Sequence, residues 1–337
     1  MTHTDEEQDF DADDAIPGEI GATCLYAVYD PVSGTCSMAG RNDPEPEVLA
    51  RVDEAVESAR AFVRRFDPEL VVLYAPDHYN GFFYKEMPPF CLATEAHAVG
   101  DFGSQGGPLS VDTEAARTLS KGVLDRGIDL TVSARMTVDH GFAQPLEVLF
   151  GGIDRVPVVP VFVNGVATPL GPVSRIRALG TAVGQAAAAL DKRVLFVASG
   201  GLSHDPPVPV REGAPPRVAD ALIEGNPPTP QQRAKGEERV VQAGRDYAAG
   251  STKMIPINPA WDNLLLDHLE RGDLAEFDSW TVDDMAAQGG GSAHEVRTWI
   301  AAYASLAATG KYEMTSRFYE AIPAWIAGFA VTTAEGR

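Results

Sequence analysis

Three histidines sit where apolar segments give way to small and polar residues. They are His78 in Ala75-Pro76-Asp77-His78-Tyr79-Asn80-Gly81, His140 in Val138-Asp139-His140-Gly141-Phe142, and His204 in Gly200-Gly201-Leu202-Ser203-His204. An imidazole titrates near neutral pH, and it can offer one nitrogen to a proton or a metal while a neighbour holds the other. Each of the three is flanked by Gly, Asn or Asp, which allow close backbone approach and can orient a ring. The chemistry this combination admits is proton transfer and metal ligation. A lone histidine is more often a hydrogen-bonded structural residue, whereas three in one setting point to a shared site. His3, His97 and His268 lack that setting and read as structural or surface residues. His294-Glu295 has two readings, a functional pair or the end of a Ser292-to-Glu295 capping box at a helix start, and the cap is preferred.

The elements that must position these residues show in the apolar pattern. From Pro46 to Arg65, Val48, Leu49, Val52, Ala55, Val56, Ala59 and Val63 recur at helical spacing. Leu70 to Ala75 is a continuous apolar run closed by Pro76, the mark of a strand buried on both faces. The signal returns at Val156 to Val163, followed by a helix carrying Ile176, Leu179, Val183, Ala187 and Leu190 and a strand from Arg193 to Ala198. Strand, helix and strand of this length form a parallel crossover unit. Residues 205–230 hold eight prolines and read as an excursion over the face where the histidines lie. Helices are expected over 231–249, 262–271 and 293–308, with a break at Gly289-Gly290-Gly291. The stretch Ala324 to Phe329 is either a last strand or a docked apolar tail. The fold class is therefore α/β, a mixed and largely parallel sheet flanked by helices with a helical C-terminal part. One domain is expected over 21–333, behind an acidic tail over 1–20. Ligands of open α/β sheets bind beyond the carboxyl ends of the strands, which is where the three histidines fall.

Charge narrows the partners. With 48 acidic against 27 basic residues and a net charge of −21, the surface field repels phosphate backbones, so no nucleic-acid partner is expected. No apolar window reaches about eighteen residues, so no membrane span is expected, and the N-terminus lacks the order of an export signal, which implies a cytoplasmic protein. Cys24, Cys36 and Cys91 are irregularly spaced and odd in number, which fits reduced thiols and excludes a cysteine-rich zinc site.

Four motifs in order carry a resemblance: Ala75 to Phe83, Val138 to Pro145, Asn164-Gly165-Val166-Ala167-Thr168-Pro169, and Ser199 to His204. With Ile257 to Asn263 and Ile322 to Phe329, they resemble the class III extradiol ring-cleaving dioxygenases over about residues 44–329. That resemblance implies Fe(II) held by two histidines and a carboxylate, with open positions for O2 and a catechol. The small-molecule partners it implies are O2 and a 3-substituted catechol bearing a short carboxylated side chain. A homo-oligomer is also expected.

Carried over by residue, the resemblance makes His78 a metal ligand and His140 and His204 an acid/base pair, with Asp139 tuning the site. Tyr79, Asn80, Phe142 and Gln144, inside the same motifs, are assigned to the substrate. Asp262 is the candidate carboxylate ligand. The family's N-terminal Ser-His-Ser-Pro motif, source of the second histidine ligand, is missing. Tyr29 takes its place in one alignment and Thr35 in another, with Asp30 and Cys36 as neighbouring candidates. The alternative is a catalytically silent or repurposed relative that keeps the pocket for a phenolic ligand or another reaction.

Overall fold

Leu70–Ala75 forms a strand buried at every position, and its side chains divide by parity. Leu70, Val72 and Tyr74 enter one hydrophobic core, while Val71, Leu73 and Ala75 enter another on the opposite face. Two cores on one strand mean a sheet covered on both sides. The computed structural model describes residues 20–25, 42–226, 228–251 and 253–337. Its first half comprises β1 (Ile20–Leu25), α1 (Pro46–Phe66), β2 (Leu70–Ala75), β3 (Phe90–Ala93), β4 (Ala96–Val99), β5 (Gly106–Pro108), α2 (Thr113–Asp125), β6 (Thr131–Ser133), β7 (Met136–Val138) and α3 (His140–Phe150). Next come β8 (Val158–Val163), α4 (Val173–Ala187), β9 (Val194–Ser199), α5 (Pro216–Glu224), α6 (Pro230–Ala248) and α7 (Pro259–Arg271). The chain ends with α8 (Val282–Gly289), α9 (Val296–Ala307), β10 (Tyr312–Ile322) and β11 (Ala327–Gly336).

Among the described residues the main sheet has eight strands in the order β10-β11-β1-β9-β2-β8-β3-β6, and β5-β4-β7 form a second, smaller sheet. Strands β1, β9, β2 and β8 run parallel at the centre. Antiparallel β11 and β10 extend one side, and β3 joins the other antiparallel to β8. The fold is thus mixed α/β, as the alternation of apolar runs implies. Helices α1 and α3 cover one face, and α2, α4, α7 and α9 the other. Helix α9 lies deepest, with Trp299, Ile300, Ala301, Ala302 and Tyr303 all fully buried. It approaches α4 so closely that a Cβ at Gly184 would stand 2.1 Å from the carbonyl oxygen of Ser305, a gap only glycine fills. Ser305 also bonds the Tyr74 hydroxyl at 2.6 Å, tying α9 to β2.

Several boundaries differ from the sequence pattern for local reasons. Helix α7 starts at Pro259, because Asn258 caps it through the Trp261 amide and proline suits the first turn. The proline-rich excursion contains α5, whose Pro215 and Pro216 stand at its cap and first turn, where a missing N–H costs nothing. The C-terminal stretch becomes a 3₁₀ turn at Pro323–Trp325 followed by strand β11 paired with β1. Strand β10 escapes a pattern search, because its side chains are mostly half-buried and follow no clean alternation. Strand β1 begins at Ile20, inside the span expected as tail. The rest of that tail, and Tyr29, Asp30, Thr35 and Cys36, lie outside the described residues. No helix among the described residues is long and apolar enough to cross a membrane.

Candidate active site

The turn after β2 is built around Asp77. Its buried carboxylate accepts from the amides of Asn80, Gly81 and Phe82, and Tyr79 takes a left-handed conformation with φ 58°, rare for a residue with a side chain. The turn presents His78 to Asp139, which accepts from the His78 amide at 2.7 Å and from Nδ1 at 3.0 Å. Asp139 also caps α3 through the Gly141 amide at 3.0 Å, so one carboxylate starts the helix and aims the ring. His140 opens that helix, its amide and Nδ1 both donating to Asp101, at 2.8 and 2.7 Å. The His78 and His140 rings stack with centroids 4.6 Å apart, and Phe102 meets His140 edge-on at 4.7 Å.

His204 arrives from β9 through Gly200–Ser203. Its Nδ1 donates to the Leu202 carbonyl at 2.8 Å, and its Nε2 lies 3.1 Å from Oε1 of Glu295. The same Oε1 stands 3.2 Å from Nε2 of His78, and the Gly201 amide donates to Oε2 at 2.9 Å. Gly200 permits this approach: with φ 145°, a Cβ there would fall 2.8 Å from the Glu295 Cβ. Glu295 ends the 3₁₀ turn that leads into α9, where a helix N-terminus favours negative charge. All three histidines therefore commit Nδ1 to an acceptor, Asp139, Asp101 or Leu202, which leaves Nε2 as the nitrogen for chemistry.

The charges reinforce one another. Burial alone would raise the Glu295 pKa, but His204 and His78 outweigh it and hold the carboxylate far below its usual range. Burial opposes Asp139 in the same way, and His78 and His140 overcome it. Burial disfavours charged His78, yet Asp139 and Glu295 raise its pKa well above 6.5. Burial is likewise outweighed at His204 by Glu295 and at His140 by Asp101 and Asp139, so both titrate above 6.5. Burial, then the Asp139 charge, push Asp77 up to about 7.

These shifts make a test. In the metal-free protein, Asp101→Asn is expected to lower the His140 pKa, read from its imidazole resonances during an NMR titration, while His204 keeps its value. The stability that charged His140 contributes is full below its unfolded pKa, near 6.5, and is lost as pH rises through the higher folded value; the variant loses that contribution. An unmoved His140 titration would refute Asp101 as its main partner.

Two expectations need correcting. Asp262, expected at the metal, accepts instead from the Ser203 amide and hydroxyl, both at 2.7 Å, and from the Tyr319 hydroxyl at 2.7 Å. It holds the loop that carries His204, and Glu295 is the carboxylate between the imidazoles. The preferred cap at Ser292 is absent, since the Ser292 side chain makes no capping bond. The missed signal was an acidic residue heading a helix whose next eleven residues are almost all apolar or buried. Sequence also offered no pointer to Asp101, 39 residues before His140.

The residues assigned to the substrate divide. Asn80 donates to Asp139 and accepts from Arg233 of α6, bracing the His78 turn. Tyr79 is buried and stacks with Tyr84. Phe142 lies wholly within the core beneath the sheet, too deep for a ligand. Gln144, one turn beyond His140, is buried with neither amide atom partnered among the described residues. His97 is exposed and His268 packs against Phe277 and Trp280. As for a metal, candidate ligand atoms of His78, Asp139 and His140 lie within 4.8 Å of one another, but the Asp139 oxygens already accept from His78 and Gly141. Nε2 of His78 and the Glu295 carboxylate make the better-suited pair, an imidazole nitrogen fixed from behind that could exchange its proton for a metal, and a buried anion. In register, Leu25 at the end of β1 pairs with Ser199, so β1 ends level with the strand that leads to His204.

Comparison with known proteins gives the class. Residues 35–330 match the family described as the catalytic LigB subunit of aromatic ring-opening dioxygenase, and the chain belongs to that family of oxidoreductases. Within it, the chain is 58% identical over 297 residues to a 2,3-dihydroxyphenylpropionate/2,3-dihydroxicinnamic acid 1,2-dioxygenase of Rhodococcus sp, covering 88% of this chain and 95% of the relative. A protein of that name from Rhodococcus jostii (strain RHA1) is 57% identical with the same coverage. Another, from Paraburkholderia phymatum, is 51% identical over 292 residues, covering 87% of this chain and 92% of the relative.

Proposed function

We propose that this protein is an extradiol dioxygenase that opens a catechol bearing a short carboxylated side chain next to its hydroxyls, of the 2,3-dihydroxyphenylpropionate and 2,3-dihydroxycinnamate type. The observation that carries this reading is the gathering of three Nδ1-anchored imidazoles, two of them meeting at the buried Glu295 carboxylate and the third, His140, stacked on His78, supported by the names of the relatives. His78 Nε2 and Glu295 would hold Fe(II), two of the three ligands of a two-histidine, one-carboxylate set. Iron bound there would supply coordination sites for the two catechol oxygens and for O2, whose two atoms both enter the product, so no outside reductant is needed.

The protein's own groups manage protons and position. Asp139 keeps the His78 Nδ1 proton in place, so it is Nε2 that would give up its proton and offer its lone pair to a bound metal. His204, its Nδ1 proton fixed on Leu202, takes and returns protons only at Nε2, next to Glu295. His140, anchored on Asp101, does the same across the stack from His78. The two imidazoles, each with Nε2 as its free position, are placed to accept a catechol proton and to return one to the opening ring. Tyr79, Asn80 and Gln144 stand nearest the substrate in this reading. The unit spans residues 21–333, in a reducing cytoplasmic setting supported by the unpaired, buried Cys91.

The test is anaerobic purification with iron quantified, followed by 2,3-dihydroxyphenylpropionate and O2. One O2 consumed per catechol, with a yellow ring-opened product, is expected. Bound iron with neither oxygen uptake nor colour would sink the dioxygenase reading and favour a silent relative that binds a phenol.

A further inference from the structure

Arg297 is buried completely, yet it pairs with no carboxylate among the described residues. Its Nη1 donates to the Gly171 carbonyl at 2.7 Å, whereas Nε and Nη2 have no partner among the described residues. An unmet buried donor is costly, and more so on a cation, so each such group in a folded protein calls for an explanation. The two unmet donors share one edge of the guanidinium, the edge that meets both oxygens of a carboxylate.

Arg297 does not face the histidine cluster. A helix turns roughly 100° per residue, so side chains two apart point nearly opposite ways. Glu295, Thr298 and Trp299 all bond to the Ser199–Gly201 segment, while Arg297 reaches the connection between β8 and α4. There it lines a cavity of about 410 Å³ whose wall includes none of His78, His140, His204 or Glu295. Met87, Phe90 and Ile176 give that wall an apolar character, and Asp129 and Arg175 stand exposed at its rim. The volume lies in the range of small-ligand pockets, which join an apolar lining to a few placed polar groups.

We propose that this cavity is a second binding site, separate from the metal centre, for a small carboxylate with an apolar body such as an arylpropionate or a medium-chain acid. The carboxylate meets Nε and Nη2 of Arg297, and the body lies against Met87, Phe90 and Ile176. The same chemistry could be met by the side chain of a catechol seated at the metal, so the test must separate the two sources.

The probe is 3-phenylpropionate, which lacks hydroxyls, titrated calorimetrically into full-length protein with and without added Fe(II). One equivalent is expected to bind in both states, and to remain bound when unsubstituted catechol saturates the metal centre. The neutral amide, 3-phenylpropanamide, is expected to bind at least roughly tenfold more weakly, since the charge-assisted pair is lost. Arg297→Met is expected to abolish binding while iron stoichiometry holds and the unliganded melting temperature stays level or rises, because a buried unpaired charge is gone. Should that variant fail to fold, Met87→Trp narrows the cavity with Arg297 in place and is expected to weaken binding by a similar factor. Equal binding of the amide, persistence in Arg297→Met, or displacement one for one by catechol would each overturn the proposal. Inorganic phosphate binding as tightly as phenylpropionate would overturn the organic carboxylate. The Arg297→Met outcome is independent of whether the protein cleaves rings.

Discussion

Glu295→Gln is expected to strip the protein of iron and lower ring cleavage on the order of 10³-fold, since a catalytic metal supplies several kcal/mol at about 1.4 kcal/mol per tenfold. The amide preserves volume and still accepts from the Gly201 amide, so folding should survive. What disappears is the anion between His78 and His204, both of whose pKa values Glu295 raises. The competing carboxylate gives the control. Asp262→Asn leaves the Ser203 hydroxyl, the Ser203 amide and the Tyr319 hydroxyl facing one poorer acceptor, which should cost about 1–3 kcal/mol of stability while iron is retained. Iron content and melting temperature of the two variants decide between them. If Glu295→Gln keeps its iron and Asp262→Asn loses it, the ligand is Asp262 and the geometric assignment fails.

The contrast between these two carboxylates shows what a sequence can and cannot disclose. His78, His140 and His204 were legible because each follows an apolar run, and a buried parallel strand delivers its next residues to the ligand-binding edge. Glu295 was hidden by degeneracy: Ser292 with Glu295 is spelled like a capping box whether or not the serine caps. Only the fold, which folds Gly200 back against Glu295, tells the two apart. Asp101 was hidden by distance, since its pairing with His140 depends on how the β4–β5 hairpin is placed, and local patterns carry no such information. The central strands were legible for the same reason as the histidines, and β10 was not, because its partly buried side chains follow neither period. The prolines over 205–230 argue against long regular structure yet leave room for the short helix α5, which two of them start.

His204→Gln and His140→Gln should each lower turnover by roughly 10²- to 10⁴-fold with iron content nearly intact, the range for loss of a positioned acid or base. Their pH profiles should differ, and the reason lies in their anchors. His204 rests on a neutral carbonyl, and its charge partner is Glu295, the carboxylate proposed to hold the metal; a cation bound there would draw on that anion, which would make His204 the weaker conjugate acid and the readier base. The partner of His140 is Asp101, which stands apart from the metal position, so its charged form keeps that support, which suits the role of acid. With iron loaded, His204→Gln should therefore remove the acidic limb of the kcat/KM profile, and His140→Gln the alkaline limb. Both variants keep His78 and Glu295, the pair proposed to hold the metal, and Asp139 behind His78. Loss of iron in either would make that histidine a ligand, and two variants with the wild-type profile at reduced height would show that neither imidazole moves a proton in the rate-determining step.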